Sequence, residues 1–120
     1  MSDSPMREPT FLVLTALAEE PRHGYAVIED VATMTGGRVR LRAGTLYAAL
    51  DRLRVEGLIE VDREEVVQSR LRRYYRLTGA GEQSLAVETA RLRAQTTIAE
   101  RRLRARRLRA RRLNLGGATT

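Results

Sequence analysis

The chain has 120 residues, one domain's worth and enough for a single modest core, and its 42% hydrophobic and 31% charged residues are the composition of a soluble globular protein. It has no cysteine, which excludes disulfides and thiolate chemistry and fits the cytoplasm; no apolar run approaches the ~18 residues of a membrane span, and the opening MSDSPMREPT lacks the basic start and apolar stretch of a secretion signal. All 22 basic residues are arginine, and eight of them lie in residues 101–120 with no acid, so the first hundred residues carry 14 arginines against 15 acids, or −1, and the net charge of +7 belongs to the tail.

Pro9 suits the first turn of a helix, where its missing N–H costs nothing. TFLVLTALAEE then sets Phe11, Leu14, Leu17 and Ala18 at helical spacing, with Leu12 and Val13 widening the buried face, and Pro21 is expected to end this first helix. In PRHGYAVIEDVATMTGG, Val27, Ile28, Val31 and Met34 form the apolar face of a second helix stopped by Gly36-Gly37. The connector RVRLR alternates and is expected to form a small strand. In RAGTLYAALDRLRVEGLIEV, at about 100° per residue, Leu46, Ala49, Leu50 and Leu53 share one face of a third helix. Thr45, Ala48 and Arg52 lie opposite, with Tyr47, Asp51 and Arg54 on the flank, and Gly57 closes the helix in a left-handed conformation.

LIEVDREE and RRYYRLT alternate like strands, and with VVQSRL as their connection they make a hairpin from about Gly57 to Thr78. Thr78 can cap a final helix starting at Gly79. The expected fold is mainly α with a small β-hairpin: a winged helix–turn–helix domain plus a C-terminal dimerisation helix. Its parts are a flexible N-terminus (1–8), the winged domain (9–78), the last helix (79–105) and a partly disordered arginine-rich tail (106–120).

On the last helix Leu85, Leu92, Ala99 and Leu103 return to one face, while Val87, Ala90, Ala94, Ile98 and Ala105 gather near the opposite one. One apolar stripe docks the helix on its own domain; a second calls for another partner, which a symmetric homodimer supplies with Leu85, Leu92, Ala94 and Ile98 as seam residues. The alternative is a marginal helix, since alanines make up much of the second stripe. Beyond Glu100 the sequence repeats as RRLRA RRLRA RRL. A five-residue step turns a helix by about 140°, so Leu103, Leu108 and Leu113 spiral around it and share no face. Such a repeat is either a solvated, frayed extension or an auxiliary grip on phosphate or RNA.

HGYAVIEDV at the second helix, GTLYAALDRLRVEGLIE at the third and RRYYRLTGAGEQSL at the hairpin exit together resemble the PadR family of bacterial transcriptional regulators, from about Thr10 to Leu85 and in the family's order and spacing. The single C-terminal helix resembles the family's shorter subgroup. The chain departs from the pattern at Ala48, where a proline is common, and at Ser69-Arg70-Leu71, where the wing often carries Gly-Pro. The resemblance implies a homodimer on a two-half-site operator in double-stranded DNA, repression of a nearby gene, and release by a small aromatic or amphipathic molecule near the dimer interface, with Phe11, Leu14 and Leu92 as candidate lining residues.

The residues themselves agree with a DNA-facing surface. A helix–turn–helix offers the N-terminal part of its recognition helix to the major groove while flanking groups grip phosphate. Gly44 and Ala48 are small enough for close approach, Thr45 can bond a base edge or a phosphate, and Tyr47 is placed for a phosphate. Arg40 and Arg42 precede the helix, Arg52 lies on its outer face, and Arg70, Arg72, Arg73 and Arg76 cluster on the wing. Bland roles stand beside these: Tyr47 as a core-edge aromatic, Tyr75 as a core residue alternating with Leu77, Arg73 paired with Glu60 or Glu64. His23 is read as a capping or packing residue rather than a ligand. With one histidine, no cysteine and no glycine-rich phosphate loop, no nucleophile–base pair can be assigned, and neither an enzyme activity nor a cofactor or metal is expected. The alternative to a sequence-specific regulator is a sequence-tolerant nucleic-acid binder, or a subunit for another protein, driven by the arginine tail.

Overall fold

The computed structural model describes residues 5–118, with side chains through residue 115. The elements are α1 (Glu8–Ala16), β1 (Arg22–His23), α2 (Gly24–Met34), α3 (Ala43–Val55), β2 (Ile59–Val67), β3 (Arg70–Leu77) and α4 (Gly79–Ala118). The chain divides at Glu88 and Thr89 into two units. The first holds three helices, the start of α4 and an antiparallel sheet of order β1-β3-β2, which is the winged helix–turn–helix architecture expected from the element order.

The helical spacing of leucines is what builds its core. Leu46, Leu50 and Leu53 of α3 are fully buried against Leu14, Val13, Val27 and Val31, with Ile59 and Tyr75 closing the sheet side. Each leucine removed from water in this way contributes about 1.5–3 kcal/mol. α1 is buried nearly all round, which is why its apolar residues run consecutively.

Several boundaries differ from those expected. α1 ends at Ala16, well before Pro21, and Arg22 closes it by donating from Nε to the Ala16 carbonyl at 2.9 Å. The connector 38–42 forms no strand. Its alternation instead records Val39 and Leu41 turned against the core, with the Val39 N–H donating to Thr35 Oγ1 at 3.0 Å. The third strand is β1, where Arg22 and His23 pair with Tyr75 and Tyr74.

The hairpin keeps its expected extent but its strands run longer and its connection is shorter: Val66 and Val67 pair with Leu71 and Arg70, so Gln68-Ser69 alone makes the turn. Both turn residues are left-handed, at φ 51° and 65°, the requirement of a tight hairpin turn that glycine or asparagine usually meets. A bulge at Asp62 shifts the register between Val61 and Arg63. At the exit, Thr78 caps α4 as expected, its Oγ1 accepting from the Gly81 N–H at 3.0 Å and donating to the Gly57 carbonyl at 2.6 Å. Gly81 is buried against the Leu58 carbonyl so closely that no side chain fits there.

Within the first unit, Leu85 packs partly buried against the winged domain's own core. In the second unit α4 runs helically through the arginine repeat, so the expected boundary at 105–106 falls inside one helix. Of the outlying segments named from sequence, residues 1–4 and 119–120 lie outside the described ones, and Glu8 already belongs to α1.

Candidate nucleic-acid interface

The flank of α3 that carries Tyr47 and Asp51, the N-terminus of α2 and the wing enclose an open cleft of about 770 Å³ lined also by His23, Tyr25, Gln68 and residues 70–73. α3 begins after Arg42, whose extended backbone leads into a helix with no side-chain cap, so the first N–H groups of α3 point outward unclaimed by a side chain. Gly44, Thr45 and Ala48 are all exposed, beside the cleft and not among the residues that line it. Tyr47 is 47% exposed, and its ring covers Gly24 at the start of α2. It is thus both packed and accessible.

Ion pairing sorts the arginines. Arg63 is held by Glu65 at 2.8 Å and Asp62 at 3.1 Å while its guanidinium covers the Tyr74 ring at 3.8 Å. Arg76 bonds Glu60 at 2.8 Å and Asp62 at 3.4 Å. Arg73 lies 3.7 Å from Glu64, too far for a hydrogen bond, and its buried Nε has no hydrogen-bond partner among the described residues. By contrast, among the described residues Arg40 and Arg42, which precede α3, and Arg70 and Arg72 on β3 have no carboxylate within 4 Å, as is also true of Arg54 near the end of α3. Arg40 lies over Gly37, where an added methyl would stand 3.0 Å from its Nη2.

Arg52 also serves the fold. Its guanidinium donates to Thr10 Oγ1 of α1 at 3.1 Å and to Glu56 at 3.4 Å, tying α3 to α1 while the side chain stays half exposed. His23 caps α2 as expected, Nδ1 accepting from the Ala26 N–H at 3.2 Å, with its ring edge-on to Tyr74. Burial pushes the His23 imidazole below its ordinary range, and the nearby Arg72 charge pushes the same way. Tyr25, which the sequence reading did not single out, is 65% exposed and lines the cleft beside Tyr47. Its signal was available: Tyr25 sits about 160° around α2 from Val27, an aromatic on the polar face.

Of the candidate effector residues, Leu14 is wholly inside the winged domain's core, so a ligand would reach it only by displacing neighbours. Phe11 is half-buried against that core. Among the described residues no group of three or more metal-ligating side chains is present, and no helix is long and apolar enough to cross a membrane.

Comparison with known proteins decides the family. Residues 13–87 match the model of the transcriptional regulator PadR-like family, more than half of the chain. The chain belongs to the PadR-like family of transcriptional regulators. An uncharacterized protein of Lysinibacillus sphaericus is 29% identical over 75 residues, 62% of this chain and 69% of that one. Among solved structures, a PadR family regulator from Eggerthella lenta is 29% identical with a TM-score of 0.66, covering 79% of this chain and 80% of its own. Bacillus subtilis PadR in complex with operator DNA shares the fold at a TM-score of 0.60 and 23% identity, over 67% of this PadR-like chain and 46% of its own.

Proposed function

We propose that this chain is a cytoplasmic, homodimeric DNA-binding regulator whose α3 enters the major groove of an operator half-site while Arg40, Arg42, Arg70 and Arg72 grip the flanking phosphates. The observation that carries this reading is the sorting of charge within the winged domain: Arg63 and Arg76 of the sheet are tied to carboxylates, whereas Arg40 and Arg42 before α3 and Arg70 and Arg72 beside the wing's turn are not. Thr45, with Gly44 and Ala48 leaving room beside it, is the base-reading candidate; Tyr47 and Tyr25 border the groove wall. The relative from Bacillus subtilis, described in complex with operator DNA, supports the assignment by analogy of fold.

Membership of the family supports repression of a nearby gene and release by a small aromatic or amphipathic molecule, with Phe11 and Leu92 as the remaining candidate contacts. Ala94 and Ile98, exposed on α4, with half-buried Leu92, are the seam through which a second copy joins. The test is binding to duplexes from the chain's own upstream region and to random DNA across a range of salt. A regulator holds one site about a thousandfold or more above bulk DNA. Equal affinity for all sequences would leave the tail-driven, sequence-tolerant binder instead.

A further inference from the structure

Between Arg101 and Arg112, α4 carries eight arginines, and residues 101–115 include no acid. Every side chain in that stretch is exposed, and among the described residues none of the eight arginines makes an ion pair. With a rise of 1.5 Å per residue, the eight charges occupy about 17 Å of helix, one roughly every 2 Å. Duplex DNA carries one negative charge per ~1.7 Å, so this rod has nearly the charge density of DNA with the sign reversed.

The distribution around the helix narrows the partner. The five-residue repeat sends arginines to all sides and leaves Leu103, Leu108 and Leu113 separately exposed, at 48%, 52% and 69%. A membrane-surface helix needs an apolar face opposite a polar one, and a coiled coil needs a continuous seam. This segment has neither. Neighbours such as Arg102 and Arg106, or Arg107 and Arg111, face each other one turn apart and repel, so the helix is opposed by its own charge until counter-charge surrounds it. An α-helix of ~10–12 Å diameter fits the ~12 Å major groove of B-form DNA and not the narrow major groove of A-form RNA.

We propose that residues 101–115 form a sequence-independent arm that binds the phosphates of duplex DNA, a site separate from α3 and the wing. The contacts are guanidinium to phosphate and carry no sequence information, so the arm raises affinity for all DNA alike and leaves the choice of operator to the winged domain.

The test compares the full-length chain with a full-length variant in which all eight arginines are glutamine, a residue of similar helix propensity, and with an all-lysine version. Each is titrated with random-sequence duplex DNA by fluorescence anisotropy between about 50 and 200 mM salt. The glutamine variant should bind more weakly, with a log–log salt slope shallower by about 0.9 for each phosphate no longer neutralised, up to about 7 per chain. The lysine version should keep the parent's slope, and the ratio of operator to random affinity should stay at the parent's value in both. Should the eightfold change melt α4 by circular dichroism, Arg106→Gln, Arg107→Gln, Arg111→Gln and Arg112→Gln together should remove about half as much slope. Equal slopes for parent and glutamine variants would overturn the proposal. So would parent binding as tight to phosphatidylglycerol vesicles, or to duplex RNA, as to DNA at equal phosphate concentration. Loss of the operator-to-random ratio in the parent itself would count against the winged-domain reading and leave the arm standing.

Discussion

Tyr47 closes over Gly24 so tightly that a methyl group at Gly24 would stand 2.6 Å from the tyrosine Oη and 2.8 Å from Cζ. Gly24 is the buried first residue of α2, and the ring above it is half in water, so the contact fixes where the phenol enters the cleft without burying it. Gly24→Ala must therefore swing the ring outward. Because solvent lies on its far side, the cost in stability should be under about 1 kcal/mol in urea unfolding. Operator affinity should fall several-fold, as the hydroxyl leaves its position, and Tyr47→Phe should lose a similar amount while keeping the fold's full stability. Parent-like binding by both variants would remove Tyr47 from the interface.

Arg52 and Arg72 should separate stability from binding. Arg52 ties α3 to the buried Thr10 of α1, so Arg52→Ala should lower unfolding free energy by about 1 kcal/mol and leave DNA affinity near the parent's. Arg72 has no ion pair among the described residues, so Arg72→Ala should reduce affinity for all sequences and lower the salt slope by about one unit. Thr45→Val should instead change the ranking of operator variants. A reversed pattern, with Arg52→Ala weakening DNA and Arg72→Ala silent, would place the docking face elsewhere.

What the sequence revealed follows from where its signals are strong. Leu46, Leu50 and Leu53 repeat at the helical period with no competing pattern, and all three are buried. Thr78 and His23 stand immediately before apolar-periodic runs, where capping groups belong, and both cap. By contrast, β1 has two residues between Pro21 and Gly24, and two residues hold no period. The connector 38–42 alternates because Val39 and Leu41 face the core, a pattern that a loop and a strand share. Gln68-Ser69 turns without the usual glycine, so the hairpin tip was hidden. Helical spacing gives the direction of the Arg52 Cβ, but a long side chain can carry its guanidinium back to Thr10.

The His23 cap makes stability depend on pH. Nδ1 accepts the Ala26 N–H only while unprotonated, and both burial and the Arg72 charge disfavour the imidazolium in the folded chain, against a weaker pull from Glu29 and Glu65. With the folded value below the ordinary 6.5, the contribution is complete above about pH 6.5 and is lost as pH falls through the lower folded value. Urea unfolding should show stability declining there, and His23→Asn, a cap that does not titrate, should flatten that part of the profile. A separate decline at more acid pH belongs to Glu8, whose carboxylate is held below the usual range by its hydrogen bonds from Arg38. Identical profiles for the parent and His23→Asn would show that the cap does not govern the first decline.

Dimerisation is best tested at Ile98, because its burial differs from that of the neighbouring seam candidate. Leu92 is already half-buried in a single chain, so a charge there disturbs more than the seam alone. Ile98 is 45% exposed, and Ala94, one turn before it on the same face, is exposed as well. A glutamate at 98 therefore costs the isolated chain little, whereas in a symmetric seam it buries two unpaired carboxylates, at roughly several kcal/mol for the pair. Ile98→Glu should shift the light-scattering mass toward the monomer while the helix content by circular dichroism stays at the parent's level. It should also weaken binding to a two-half-site operator far more than to a single half-site, since the second half-site is then no longer held by a linked subunit. A variant that keeps the dimer's mass would take this face of α4 out of the interface, whatever the DNA results.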